Sequence, residues 1–165
     1  MQTISQPLKE RIRKAQQDWG EGLVQISQHY TMGGLARARK TASKLIDDLY
    51  CYADMQVLFK PTMASGDQTF RLTKQGAISY FVGHDPDYSQ DTGFALRGWR
   101  RFEIEEAGAF VSGTICIWMG RIILEDEKGE ITRVDKSWGY KEDPMGFPRI
   151  VLHHSSLPFE PEAIR

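Results

Sequence analysis

The spacing of apolar residues changes once along the chain. Up to about residue 53 they recur every three or four positions, which predicts two amphipathic helices. Their apolar positions are Leu8, Ile12, Ala15, Trp19, Leu23, Ile26 and Tyr30 in the first helix, and Leu35, Ala38, Ala42, Leu45, Leu49 and Tyr52 in the second. Met32-Gly33-Gly34 interrupts the pattern, so we place the boundary between the helices there.

After Asp54 the pattern becomes that of β-strands separated by turn residues. The candidate strands are MQVLFKPT, TFRLT, AISYFVG, GFALRGWRRFEIEE, GAFVSGTICIWMGRIILED, EITRVDKSWGY and RIVLHHSS. Short connections make them antiparallel, and Gly98, Gly113 and Gly120 are positions where long strands could bend.

These elements predict an α+β fold. We expect a single domain over residues 1–165, with two N-terminal helices at about 7–53 and a curved antiparallel sheet at about 55–156. Helices laid across the open side of such a sheet would make a cone with an inner cavity, where a small polar site can form.

Length and charge limit the classes of function. The chain has 165 residues with 21 basic and 22 acidic side chains, so nothing points to nucleic acid. The longest uncharged segment, Ala107–Gly120, is shorter than the ~20 residues of a spanning helix, and the N-terminus lacks a secretory pattern. We therefore expect a cytoplasmic protein without membrane contact, in which Cys51 and Cys116 stay reduced.

Residues 150–159, IVLHHSSLPF, place two histidines and two serines at the end of an apolar strand. Three interpretations are open: a metal site, a metal-free catalytic pocket, or a polar strand end. Neighbouring strand residues point to opposite faces, so His153 and His154 cannot share one ion without a bulge. Zinc needs three or four ligands, and His29 and His84 lie in a helix end and a loop. A zinc site is therefore disfavoured.

The same alternation groups the polar residues by face. On the last strand, Val151, His153 and Ser155 share one face, and Leu152, His154 and Ser156 share the other. The other groups are Leu58 with Lys60 and Thr62, and Ile78 with Tyr80 and Val82. Alternation does not say which face is inward. From the pattern alone, Thr62 and Ser155 can be strand caps and Tyr80 an ordinary strand aromatic.

The segments VLFKPT, AISYFVG, GFA and LHHSSLP, in this order, resemble the iota-class carbonic anhydrases. This class belongs to the nuclear transport factor 2-like superfamily and is related to the calcium/calmodulin-dependent kinase II association domain. The resemblance covers about residues 50–160. It implies reversible hydration of CO2 to bicarbonate in the cavity of the cone, within a homodimer. It also implies that Thr62, Tyr80 and Ser155 are catalytic and bind substrate, with His153 lining the same pocket.

Three hydroxyl groups suit a reaction without metal. They can orient water and hold the oxygens of bicarbonate, and preorganised donors stabilise the negative charge that develops on CO2. We therefore expect no cofactor, with zinc or manganese as the disfavoured alternative. Serine and threonine are poor bases and a free tyrosine has a pKa of about 10, so His153 is the best candidate for proton acceptor. The sequence does not assign that step.

A non-catalytic association or oligomerisation module of the same fold is the alternative. It predicts no CO2 hydration and an assembly larger than a dimer. A proton transfer like that of ketosteroid isomerase would need a carboxylate in the pocket. VLFKPT, AISYFVG and RIVLHHSS contain no Asp or Glu, which disfavours that reaction.

Overall fold

A long N-terminal helix folds back on itself and packs across a five-stranded sheet. The structure, a computed structural model, describes residues 6–161. Helix α1 (Gln6–Leu49) is broken at Gly34, whose φ of 73° lies in the left-handed region that favours glycine. The break divides α1 into two helical limbs at the predicted position, so the prediction of two N-terminal helices is confirmed.

The sheet has the strand order β1-β5-β4-β3-β2. The strands are β1 (Leu58–Lys60), β2 (Trp99–Ser112), β3 (Ile115–Asp126), β4 (Ile131–Glu142) and β5 (Pro148–Ser156). Neighbouring strands are antiparallel, except that β1 pairs in parallel with β5. The α+β fold with a mostly antiparallel sheet is therefore confirmed.

Three glycines lie where the chain needs a small residue or a change of direction: at a β-bulge, in a turn and where the two limbs of α1 cross. Gly120 pairs with Glu106, where the register of β2 against β3 shifts and forms a bulge, as predicted for a bending strand. Gly113 lies in the turn between β2 and β3 instead of inside a strand. Gly22 lets the two limbs of α1 approach closely, because a Cβ there would lie 2.4 Å from Leu45 Cδ1.

The segment AISYFVG is helical, so the prediction of a strand there was wrong. Helix α2 (Lys74–Val82) begins after Thr73, whose side chain accepts a hydrogen bond from the Gly76 N–H, and ends before Gly83. Its residues are buried on almost every side, so it has no polar face to reveal a helical period. Its β-branched and aromatic residues favoured a strand from composition alone.

Two other predicted strands also differ. TFRLT is a loop held by Arg71, whose guanidinium donates two hydrogen bonds to the Asp91 carboxylate at 2.6 and 2.7 Å. GFAL forms a single 3-10 turn, Phe94–Leu96, ahead of β2. The segment GAFVSGTICIWMGRIILED was predicted as one strand but spans the end of β2, a turn and β3.

The core lies between the helices and the inner face of the sheet. Four tryptophans, each no more than 2% exposed, fill its centre: Trp19, Trp99, Trp118 and Trp138. Trp19 comes from α1 and meets Trp138 of β4 at a centroid distance of 5.3 Å. Within residues 6–161, no helix has the length and apolar character needed to span a membrane.

Candidate active site

Strand β5 carries His153 and Ser155 into the core. They are 2% and 1% exposed, whereas His154 faces solvent, so these residues divide between the two faces as alternation grouped them. On the neighbouring strand β4, Trp138 lies directly opposite His153, and Lys136 lies directly opposite Ser155. Paired residues of antiparallel strands point to the same side, so these four side chains form one patch on the inner face.

A line of hydrogen bonds connects Ser155 to helix α1. Trp19 Nε1 donates to Tyr50 Oη at 2.9 Å, and Tyr50 Oη lies 2.8 Å from His153 Nδ1. His153 Nε2 lies 2.8 Å from Ser155 Oγ. Because Trp19, Tyr50 and His153 are almost fully buried, the position of the Ser155 hydroxyl depends on the core itself.

The donors in this line follow from the chemistry of its groups. The indole N–H of Trp19 can only donate, so Tyr50 accepts there. The Tyr50 hydroxyl proton has one other partner within the described residues, His153 Nδ1, and it donates to that nitrogen. A neutral imidazole that accepts at Nδ1 carries its proton on Nε2, and therefore donates to Ser155 Oγ. The Ser155 O–H is then free to donate to a bound molecule.

Burial keeps His153 neutral. It lowers the pKa of the imidazole well below 6.5, and any positive charge on Lys136 or His154 would lower that pKa further. Both ring nitrogens already have hydrogen-bond partners, so the imidazole offers water no free lone pair. The structure therefore gives His153 the part of orienting Ser155, which differs from the proton acceptor expected from the sequence.

Thr62 and Tyr80 form a second group of hydroxyls. Burial raises the pKa of Tyr80 to about 12, although hydrogen bonds from the Thr62 side chain and from the Met63 backbone N–H act to lower it. The Met63 N–H donates to Tyr80 Oη at 3.4 Å. The tyrosine is thus a neutral phenol, and its ring stacks on Phe94 with centroids 5.5 Å apart.

Phe59 of β1 lies between the two groups of hydroxyls. Its ring stacks on His153 at a centroid distance of 4.3 Å and meets Tyr80 edge-on at 5.8 Å. In the part of the chain that the structure describes, no hydrogen bond joins Thr62 or Tyr80 to His153 or Ser155. The fold thus holds the four predicted residues as two separate pairs, and Phe59 contacts one member of each pair, His153 and Tyr80.

The prediction that the hydroxyls come from three strands was wrong. Thr62 lies in the turn after β1, Tyr80 on helix α2, and Ser155 on β5. The grouping of Ile78, Tyr80 and Val82 on one strand face does not apply to a helix. Leu58 is 52% exposed, and strict alternation would have turned Thr62 outward with it. Because β1 ends at Lys60, Thr62 instead reaches Tyr80.

Three residues of this site were not singled out from the sequence: Trp19, Tyr50 and Lys136. Trp19 was predicted only as an apolar position of the first helix, and Tyr50 was not among the positions predicted for the second. Nothing in their spacing indicated a hydrogen bond to β5. Lys136 did carry a signal, because it alternates with Val134, Trp138 and Tyr140 on the apolar face of β4. A lysine on such a face is only rarely buried without a partner.

We find no group of three or more His, Cys, Asp or Glu side chains within residues 6–161 that could hold a metal ion. The chemistry available to the site is that of hydroxyl donors, a neutral imidazole and an amine, set in an aromatic wall. These groups can bind a small anion or a polarised oxygen and can exchange protons with water.

Comparison with known proteins gives this arrangement a family. The sequence profile of the metal-independent carbonic anhydrases matches residues 10–157. The chain is 48% identical over 149 residues to the metal-independent carbonic anhydrase of Nostoc sp. (strain PCC 7120 / SAG 25.82 / UTEX 2576), covering 90% of this chain and 73% of that protein.

Solved structures agree with this match. An iota-carbonic anhydrase from a cyanobacterium, in complex with bicarbonate, superposes with a TM-score of 0.91 and 44% identity, covering 98% of this chain and 100% of the other. A nuclear transport factor 2-like protein from Salmonella enterica shares only the fold, with 12% identity, a TM-score of 0.55 and 95% of each chain covered. The chain thus has the nuclear transport factor 2-like fold and belongs to the metal-independent carbonic anhydrase family.

Proposed function

We propose that this protein catalyses the reversible hydration of CO2 to bicarbonate without a metal, using Thr62, Tyr80 and Ser155. The observation that carries the proposal is the line of hydrogen bonds from Trp19 to Ser155, which leaves a buried serine O–H free to donate. The family match and the bicarbonate complex of the cyanobacterial relative support the same reaction.

The hydroxyls would act on charge that develops during the reaction. When water attacks CO2, negative charge appears on the CO2 oxygens, and fixed donors stabilise it best where water is excluded. Ser155 is fixed by His153, and Tyr80 is a neutral phenol that keeps its proton for donation. Thr62 lies beside Tyr80 and adds a third hydroxyl. Phe59, which contacts both His153 and Tyr80, makes the space between the two groups apolar, which suits the apolar CO2 molecule.

The direct test is stopped-flow CO2 hydration by protein that has been treated exhaustively with chelator and checked by elemental analysis. We expect activity to survive without stoichiometric zinc or manganese. If the stripped protein is inactive and one added metal restores the rate, a metal carries the reaction. If neither form is active, the chain is a non-catalytic association module.

We also propose that the protein forms a homodimer through the outer face of its sheet. Ile117 and Met119 of β3 are 43% and 59% exposed on that face. Beside them is a groove of about 550 Å³ whose lining includes Arg121, Asp135 and His154. An apolar patch bordered by charges of both signs can pair with its own copy across a two-fold axis.

Light scattering during size-exclusion chromatography tests the dimer. We expect twice the chain mass for the unmodified protein and a monomer for Met119→Lys. Met32→Lys is the matched control, because Met32 is 72% exposed and lies on helix α1 and not on a strand of the sheet. A monomeric unmodified protein, or a Met119→Lys variant that remains dimeric, would exclude this interface.

For location, we propose the cytoplasm. Cys51 and Cys116 are both buried and unpaired, which suits a compartment that keeps thiols reduced. Fractionation of the source cells with an antibody against the protein tests this, and recovery in an extracellular or membrane fraction would refute it.

A further inference from the structure

Lys136 is a buried lysine next to the proposed active site. It is only 4% exposed and lies directly opposite Ser155 in the pairing of β4 with β5. Both side chains point to the inner face of the sheet, and paired residues of this kind have Cβ atoms about 5 Å apart. The lysine is therefore a neighbour of the hydroxyl group that we assign to substrate.

The amine of Lys136 is enclosed by aromatic rings. Its Nζ lies 3.7 Å from the ring centroid of Trp19 and 4.7 Å from that of Trp138. Among residues 6–161, no carboxylate lies within ion-pair distance of it. Glu106, in the same row of the sheet, pairs with Lys9 and Trp118 instead. A buried charge without a counterion is costly, so the fold must keep this amine for a reason other than an ion pair.

We propose that Lys136 is the proton acceptor of the hydration reaction, a role that rests on the function proposed above. The need for such a group follows from the site itself. Ser155 is a hydroxyl and a very poor base, the imidazole has no free nitrogen, and Tyr80 is a protonated phenol. Lys60 Nζ also lies beside Ser155, but it is only half-buried and donates to the Ser155 backbone carbonyl at 2.9 Å. Of the fully buried side chains next to Ser155, the amine of Lys136 is the one with a lone pair for water.

The step balances without a further reactant. A water molecule donates a hydrogen bond to Lys136 Nζ, while the Ser155 hydroxyl donates to an oxygen of the bound CO2. The water oxygen forms a bond to the carbon of CO2, one C=O π pair moves onto oxygen, and the water proton moves to the amine. The products are bicarbonate and a lysine ammonium, which returns its proton to solvent before the next turnover.

The surroundings of Lys136 suit both protonation states. Burial holds the pKa of Lys136 well below its usual range, which favours the neutral amine before the reaction. The two indole faces then stabilise the ammonium that forms, by about 0.5–2 kcal/mol. The titratable groups near it are His153 and, along the row, Glu106; burial favours the neutral form of His153.

The experiment compares two substitutions of Lys136, which distinguish the need for a basic amine from the need for a positive charge. Lys136→Met keeps the length and removes the amine, whereas Lys136→Arg keeps a positive charge that cannot be lost at working pH. Loss of a general base typically lowers the rate by about 10²–10⁴. We expect such a fall in kcat for both variants and the loss of the acid limb of the pH–rate profile. Lys128→Met, in the exposed turn between β3 and β4, is the control and should leave both unchanged.

Each outcome has one meaning. Full activity in folded Lys136→Met, or recovery in Lys136→Arg, would overturn the role of Lys136 while leaving the carbonic anhydrase function intact. An inactive unmodified protein would overturn the function itself. If neither variant folds, 15N NMR of the lysine side chains in the unmodified protein decides. We expect Lys136 to be a neutral amine at the pH of full activity, and an ammonium there would refute the proposal.

Discussion

The two groups of hydroxyls in the site are held in different ways. Ser155 is the end of a line of hydrogen bonds of 2.8–2.9 Å that passes through His153 and Tyr50 to Trp19. Tyr80 is held by its neighbour Thr62 and by one longer bond, 3.4 Å from the Met63 N–H. The first group is built on strand β5, helix α1 and the residue that follows α1, and the second on a short helix and a turn.

This difference separates a fixed donor from an adjustable one. The Ser155 oxygen is held as an acceptor before substrate arrives, because the proton order along the line makes His153 Nε2 its donor, and its own proton remains available. Tyr80 and Thr62 can exchange hydrogen bonds with each other, with the Met63 backbone and with a bound molecule. Preorganised donors contribute most to transition-state stabilisation, so we expect the serine to matter more than the tyrosine.

The largest effect should come from Ser155→Ala. Removal of a preorganised oxyanion donor costs about 10²–10³ in rate, and we expect kcat for CO2 hydration to fall by that amount. Ser156→Ala is the control, since Ser156 is the next residue of β5 and lies on the opposite face of the sheet. If the two folded variants lost kcat to a similar extent, the inner-face hydroxyl would have no specific role in catalysis.

Tyr80→Phe should lower kcat for CO2 hydration less, by about 10²-fold at most. This substitution deletes one oxygen and keeps the ring against Phe59 and Phe94. Its stability should change by only about 1 kcal/mol in urea unfolding. Thr62→Val probes the neighbouring hydroxyl, and because both would act on one bound species, the combined loss should be less than additive. A Tyr80→Phe variant slower than Ser155→Ala would reverse the order that the comparison predicts.

The smallest expected effect is a change in how the free energy of unfolding depends on pH. The pKa of His153 is lowered in the folded protein by burial, so the unfolded chain, with a pKa of about 6.5, binds its proton first as the pH falls. The contribution of the neutral imidazole is therefore complete above about pH 6.5 and is lost as the pH falls below it. The loss can reach about 1.4 kcal/mol per pH unit.

Urea unfolding at pH 7, 6 and 5 measures this contribution. We expect the unmodified protein to lose more stability between pH 7 and 5 than His153→Gln does. His154→Gln, altered at the exposed neighbour, should behave like the unmodified protein. An unchanged slope in His153→Gln would mean that the buried imidazole is not the source of acid sensitivity.

The sequence correctly predicted the parts of the site that lie on an element with one buried face and one solvent-exposed face. Strand β5 has helices on one face and solvent on the other, so alternation correctly separated His153 and Ser155 from His154. Helix α2 is buried on nearly all sides and shows no period, so Tyr80 was assigned to the wrong kind of element. Strand β1 has only three residues, too few for its pattern to locate Thr62.

The contacts across the core could not be predicted. Tyr50 and His153 are 103 positions apart in the chain, and neither helical spacing nor strand alternation relates them. The family resemblance indicated which hydroxyls to examine but not how they are oriented. Their orientation depends on tertiary packing of Trp19 against Trp138 and His153.

The proton position on His153 is the most direct test of this account. 15N NMR of the histidine side chains distinguishes the two neutral tautomers and the imidazolium. We predict a neutral His153 with its proton on Nε2 throughout the active pH range, and a change in its Nδ1 resonance in Tyr50→Phe, which removes the donor to that nitrogen. A proton on Nδ1 would make Nε2 an acceptor and Ser155 its donor. That result, or an imidazolium at neutral pH, would contradict the account of Ser155 as a donor to substrate.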